Sequence, residues 1–313
     1  MAVCNVPTDR LPVNAARRVR RCGAKLLSRT QSGEEGTTTL RCDHRACTWC
    51  ARLYSQKVYS AIRDTLAEET PPESVVLHAT RPLPHGLGAE QLRENSQIIS
   101  QTLADAAQTV RDVARRWNRL DHWRGELAAA ETGSRRRTCR HWIAHYRRTL
   151  REIGRDLRPP TGLDQYASEW RGDLPPRVTK PTYLWAKEVT TGRDDVHWHV
   201  HLHVICWNRA TAQLLNAAWQ AERSGPHFWS TKITTGDFDD PSHAAGYCSK
   251  YVSKARSGEE GEPVERTVAR LDGLQHQRLY DAAGRWRPLG LRPEAAEDPV
   301  VAVSHGWLAE QGH

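Results

Sequence analysis

Four histidines alternate with apolar residues in the segment HWHVHLHVICW at 197–207. Successive side chains of a β-strand point to opposite faces, so the tryptophan, valine and leucine side chains share one face and the imidazoles share the other. The preceding segment YLWAKEVT at 183–190 also has strand composition, and the glycine and aspartates between the two segments predict a hairpin. The chain must therefore build a sheet with a core on one side of this strand. The histidines on the shared face are His197, His199, His201 and His203.

This histidine face predicts a metal site. Neighbours on one face of a strand are roughly 6.5 Å apart at Cα, so one ion is reached by two of the histidines and not by all four. A hard ion such as Mg²⁺ or Mn²⁺ also favours a carboxylate, and Glu188 on the preceding strand is the candidate third ligand, with His199 as the alternative. Because the sequence does not fix the hairpin register, Glu188 could instead pair with a histidine or with Lys187.

The segment AAGYCSKYVSK at 244–254 predicts a helix with two tyrosines on one face. Tyr247 and Tyr251 are four residues apart, and Lys250 and Lys254 follow them by three residues, which places an ammonium group beside each phenol. A phenol with a pKa near 10 is a poor nucleophile, and nearby positive charge or a polarised phosphate favours its attack. Only seven of the 45 basic residues are lysines, so two within this motif form a concentration.

The order of the two motifs, WHVHLHVI followed by YCSKYVSK, resembles the HUH endonucleases. Within this superfamily the chain is most similar to rolling-circle replication initiator (Rep) proteins of plasmids and single-stranded DNA phages, over about residues 74–256. The resemblance implies metal binding by His201 and His203, nucleophilic attack by Tyr251 and a second strand transfer by Tyr247. It also implies an α+β fold with a palm-like (RRM-like) antiparallel sheet. Val200 stands where many members have proline.

The activity implied by this resemblance is the nicking of one DNA strand at an origin. The implied substrate is single-stranded or hairpin origin DNA, and the product has a 5′-phosphotyrosyl link and a free 3′-OH, which a host polymerase and helicase would use. Three alternatives stay open: a two-tyrosine HUH transposase, a non-catalytic zinc-containing DNA-binding protein, and a metal-dependent hydrolase that uses water.

Four cysteines near the N-terminus have metal-ligand spacing. Cys42, Cys47 and Cys50 form C-x4-C-x2-C, and Cys22 precedes them by twenty residues. This spacing predicts a structural Zn²⁺ with four thiolate ligands. The stretch that contains these cysteines is similar to the corresponding stretch of actinobacterial-type initiators. His44 could replace Cys22 as a ligand, and the alternative is a set of buried free cysteines.

Charge and hydropathy bound the remaining possibilities. The formal net charge of +8 suits an acidic partner such as nucleic acid, although a solvated basic surface would have the same charge. The sequence has no membrane-spanning run and no signal-peptide pattern, so we expect a cytoplasmic protein without a membrane partner.

The chain divides into three predicted parts. These are a basic zinc-binding module at 1–70, a nicking domain at 71–260 and a small accessory segment at 261–313. Within the nicking domain we expect a strand at 74–81, a helical insertion at about 89–157, a helix at 209–222 and a strand at 228–233.

Overall fold

The computed structural model describes residues 22, 25–29, 35–39, 48–68, 71, 75–80, 83–157, 170, 172–191, 197–221, 231–235, 241–257, 262–274 and 277–289. Over these residues the chain has the predicted α+β class, with an antiparallel sheet and helices packed on it. A separate two-stranded hairpin consists of β1 (Lys25–Arg29) and β2 (Glu35–Thr39).

The central sheet has five strands in the order β6, β3, β5, β4, β7, and every neighbouring pair is antiparallel. The histidine-bearing strand β5 is at its centre. The predicted strands at 74–81, 183–190 and 197–207 are confirmed, and the predicted strand at 228–233 begins outside the described residues and continues beyond its expected end. The strands are β3 (Val75–Ala79), β4 (Tyr183–Thr191), β5 (Trp198–Cys206), β6 (Thr231–Thr235) and β7 (Tyr280–Ala283).

The two faces of β5 differ as its alternating sequence predicts. Trp198, Val200, Leu202 and Val204 are fully buried, and the side chains of His199 and His201 on the opposite face are partly exposed. The alternation therefore separates an apolar face from a histidine face.

Six α-helices accompany the sheet in the described ranges: α1 (Thr48–Glu68), α2 (Ala89–Ala129), α3 (Gly133–Leu157), α4 (Arg209–Ala221), α5 (Pro241–Ser257) and α6 (Val264–Gly273).

The first half of α2 belongs to the core on the apolar face of the sheet. Lys187 on β4 is fully buried there, and its Nζ donates to the carbonyl and Oγ of Ser96 and to Oγ of Ser100 at 3.2, 2.7 and 2.8 Å. Asn95 Nδ2 also donates to the carbonyl of Trp198 at 3.3 Å. The N-terminal half of the predicted helical insertion therefore covers the apolar face of the sheet.

The second half of α2 pairs with α3 to form a helical hairpin. A helix of 41 residues is about 60 Å long, whereas a nine-residue strand spans about 30 Å, so α2 is longer than the sheet it covers. Leu120 of α2 and Cys139 and Leu150 of α3 are fully buried in this hairpin. We call α2 and α3 together the helical arm.

Helix α1 and the described C-terminal segment contribute to the same core as residues 71–260. Helix α1 packs along α5, and its Ile62 is fully buried in the main hydrophobic cluster. Strand β7 extends the sheet at the edge of β4, and Trp286 in the short 3-10 helix after it is fully buried. On α6, Arg270 is buried, forms an ion pair with Glu262 and donates to the carbonyl of Val189 at 2.5 Å. Strand β7 therefore belongs to the central sheet, and Arg270 connects α6 to β4.

No helix in the described part of the chain is long and apolar enough to cross a membrane.

Candidate active site

His203 is at the centre of a cluster of polar side chains on the histidine face. It is almost fully buried, with 4% of its surface exposed, and it is on the central strand. Its Nε2 lies 2.9 Å from Glu188 Oε2 on β4, and its Nδ1 lies 2.8 Å from the hydroxyl oxygen of Tyr247 on α5. One imidazole thus connects the strand hairpin to the tyrosine helix.

The register of the β4–β5 hairpin determines where Glu188 lies. Glu188 is directly opposite His201, and cross-strand partners share a face of the sheet, so the carboxylate belongs to the histidine face. The side chain is buried, and its observed hydrogen bond is to His203 rather than to Lys187, which points to the opposite face. The structure therefore brings the predicted Glu188, His201 and His203 to one face.

The remaining histidines of β5 form a row beside this cluster. The rings of His199 and His201 stack with centroids 5.4 Å apart, and those of His197 and His199 are 4.5 Å apart. Burial, and secondarily repulsion from His199, lowers the pKa of His201 to about 4. At neutral pH His201 is therefore a neutral imidazole with a free electron pair for a ligand.

Both predicted tyrosines of α5 contact His203. The Tyr251 ring stacks on the His203 ring with centroids 3.5 Å apart and an interplanar angle of 6°, and the rings of Tyr247 and Tyr251 are 4.9 Å apart. Helix α5 packs against β4, so the one-turn spacing of the tyrosines directs both phenols to the same histidine. Burial raises the pKa of the Tyr247 hydroxyl above its usual value, so this group needs a proton acceptor before it can act as a nucleophile.

His78 is a site residue that the sequence reasoning missed. It lies on β3 directly opposite His203, the two rings are 4.5 Å apart, and His78 Nε2 lies 2.5 Å from the Tyr247 hydroxyl oxygen. The only signal in the sequence is one polar ring within the apolar strand VVLHA, and a lone histidine of this kind is more often structural. Its place in the cluster becomes visible only once β3 is paired with β5.

One lysine of the tyrosine motif lies beside a tyrosine ring of the same helix. Lys250 is exposed, and its ammonium nitrogen lies 5.9 Å from the centroid of the Tyr251 ring. Lys254 is within α5, and its side chain lies outside the described residues.

The metal expected on the histidine face can be tested against the donors present. Within the described ranges, no three His, Cys, Asp or Glu side chains are grouped as a ready-made metal site. The donor chemistry still fits a divalent ion, because the buried carboxylate of Glu188 and the neutral imidazole of His201 share one face. Since Nε2 of His203 is bonded to Glu188, binding of an ion there would have to replace that hydrogen bond.

The predicted zinc cluster falls only in part within the described chain. Cys22 and Cys50 are both buried, and their sulfur atoms lie 3.3 Å apart without a disulfide. Cys42, Cys47 and the alternative ligand His44 lie outside the described residues. Two of the four expected ligands are therefore brought together across 28 residues of sequence.

Comparison of the chain with protein-family models, with curated proteins and with solved structures finds no match.

Proposed function

We propose that this protein nicks one strand of DNA at a replication origin by transferring the scissile phosphate to a tyrosine of α5. The observation that supports the proposal best is the convergence of Tyr247 and Tyr251 on His203, beside Glu188 and His201. Two phenols one helical turn apart, facing imidazoles and a carboxylate on a central strand, form a set suited to phosphoryl transfer. The arrangement is the one expected of a two-tyrosine HUH endonuclease of the rolling-circle initiator class.

In the proposed reaction Tyr251 is the first nucleophile. Its oxygen attacks the scissile phosphorus, the bond to the 3′ oxygen breaks, and the proton lost by the phenol balances the proton gained by the leaving 3′ oxygen. The products are a 5′-phosphotyrosyl link and a free 3′-OH. Stacking on His203 holds the Tyr251 ring in place, and Lys250 adds positive charge beside it.

Tyr247 is proposed to perform the second strand transfer, which rejoins the DNA. Its hydroxyl contacts two imidazole nitrogens, His203 Nδ1 and His78 Nε2. Because burial raises the pKa of this phenol, deprotonation needs a base at hydrogen-bond distance, and either imidazole can accept the proton. This contact favours a chemical role for His78 alongside Tyr247.

The residues that would hold the divalent ion, Mg²⁺ or Mn²⁺, are His201, His203 and Glu188, with His199 next in the row. A bound ion would polarise the scissile phosphate and stabilise the charge that develops on it.

The cysteines at positions 22, 42, 47 and 50 are proposed to hold a structural Zn²⁺. A host helicase and polymerase would act on the nicked product.

The test is covalent capture on a single-stranded DNA library of random sequence, 5′ and 3′ labelled, in the presence of Mn²⁺. We expect the wild-type protein to form a labelled adduct that survives denaturing electrophoresis, and Tyr251→Phe to abolish it. Tyr247→Phe should retain the first adduct and lose rejoining. Tyr146→Phe, on the helical arm, is the matched control and should behave as the wild type.

The other classes predict different results in the same assay. A DNA-binding protein without catalysis gives DNA retention but no adduct and no cleavage. A hydrolase that uses water gives cleavage with no adduct, and either outcome rejects the proposal.

A further inference from the structure

The outer face of α3 is a stripe of arginines. Five arginines form it, from Arg137 to Arg151. Successive members are three, seven, one and three residues apart, which confines them to an arc of about 100° around the helix axis and a length of about 21 Å. All are exposed, and the arc lies away from the buried face that contains Cys139 and Leu150. We call this surface the arginine stripe: Arg137, Arg140, Arg147, Arg148 and Arg151.

The stripe concentrates the charge of the protein. Helix α3 contains eight arginines, no lysine and two carboxylates, a net charge of +6 with neutral histidines, whereas the whole chain has a net charge of +8. Helix α2, by contrast, contains six arginines and six carboxylates. The positive charge of the helical arm is therefore on one helix.

The stripe arginines have no acidic partners within the part of the chain that the structure describes, in contrast to the arginines around them. Arg135 pairs with Glu126, Arg115 pairs with Asp112, and Arg124 pairs with Asp121. Such a row of unpaired guanidinium groups creates a local positive potential that attracts anions.

Aromatic rings pack together on the other side of α3. The Trp123 and Trp142 rings stack with centroids 5.9 Å apart at 15°, and Tyr146 follows Trp142 at 6.0 Å and 29°. Arg135 lies over Trp123, with its guanidinium carbon 5.7 Å from the ring centroid. These rings are packed on one another on the side of the helix away from the stripe.

We propose that the arginine stripe binds the phosphate backbone of double-stranded DNA. Guanidinium groups bind phosphate oxygens in a bidentate manner, and a straight row of about 21 Å matches the rise of about six base pairs. Single-stranded DNA is usually bound by exposed aromatic rings that stack on its bases, but the stripe contains arginines alone and the arm's rings pack on one another. The geometry therefore favours duplex phosphates, without sequence preference.

The test compares two triple variants that remove the same charge from the two helices of the arm. The stripe variant is Arg140→Gln, Arg147→Gln and Arg151→Gln, and the control is Arg111→Gln, Arg115→Gln and Arg124→Gln. Binding to a labelled random-sequence duplex is measured by fluorescence anisotropy over a range of NaCl concentrations. For the stripe variant we expect a loss of at least about tenfold in affinity and a salt-dependence slope lower by about 2.7, at roughly 0.9 for each lost phosphate contact.

The control variant should retain the affinity and slope of the wild type, because its arginines alternate with carboxylates. Lysine at the three stripe positions keeps the charge and should restore most of the binding, which separates loss of contact from loss of folding. Wild-type affinity in the stripe variant, or an equal loss in the two triple variants, would overturn the proposal. An equal loss on a single strand of the same length would overturn the assignment to duplex DNA.

This proposal is independent of nicking, and the two can fail separately. The stripe variant should form the Tyr251 adduct on short single-stranded DNA as the wild type does. Conversely, absence of any adduct in the wild type leaves the duplex-binding comparison unchanged.

Discussion

At the scale of single residues, the site depends on contacts between groups far apart in the sequence. His203, Tyr247 and His78 come from three different elements, and the Tyr247 hydroxyl lies between the two imidazoles. The opposite face of the sheet also holds a charged residue. Lys187, next to Glu188 in the sequence, is buried on that face and donates to Ser96 of α2. Alternation along β4 thus assigns one charged residue to the site and its neighbour to the core.

Lys187 predicts a pH-dependent stability. Burial lowers its pKa to about 7, below the ordinary value of 10.5, so between these pH values the unfolded chain binds more protons and stability rises with pH. Lys187→Met should therefore be most favourable to stability at pH 7 and below. Relative to its effect above pH 10.5, the gain in the free energy of unfolding should be about 5 kcal/mol. Urea unfolding of wild type and variant at several pH values between 6.5 and 9.5 measures the difference. A difference that is constant across this range would contradict the assignment.

At the scale of elements, local patterns predict the strands and helices but not how they pair. The two-residue alternation of 197–207 and the three-four spacing over 89–157 are local, and the structure confirms β5, α2 and α3. The β3–β5 pairing is not local, so His78 could not be assigned to the site from the sequence. The same holds for β7, because an edge strand of four residues has too short a pattern to predict its pairing with β4.

The end of the helical arm depends on close contact at Gly154. A Cβ added at Gly154 would overlap the carbonyl oxygen of Asp173, whereas a Cβ at Gly125 in α2 would meet open space. Gly154→Ala should therefore destabilise the protein by about 1–3 kcal/mol, and Gly125→Ala should stabilise it by up to about 1 kcal/mol through helix propensity. Thermal unfolding of the two variants measures both effects. Equal shifts of the unfolding temperature, with the same sign, would show that the Asp173 carbonyl does not restrict the side chain at position 154.

At the scale of the whole molecule, the sheet separates two functions that we propose for its two sides. Helix α5 brings the tyrosines to the histidine face, and α2 covers the opposite face and continues into the arm with the arginine stripe. The proposed chemistry and the proposed duplex contact are therefore on elements that approach the sheet from opposite sides. Only the chemistry depends on His203 and its partners.

The measurement that tests the central claim most directly is identification of the residue that becomes linked to DNA. After reaction with single-stranded DNA and Mn²⁺ and digestion with nuclease and trypsin, Lys250 and Lys254 place the two tyrosines on different peptides, so mass spectrometry distinguishes them. We predict a nucleotide on the peptide 251–254, which contains Tyr251, and its absence in Tyr251→Phe. A nucleotide on Tyr247 alone would reverse the proposed order of the tyrosines. A nucleotide on neither peptide would contradict the nicking mechanism.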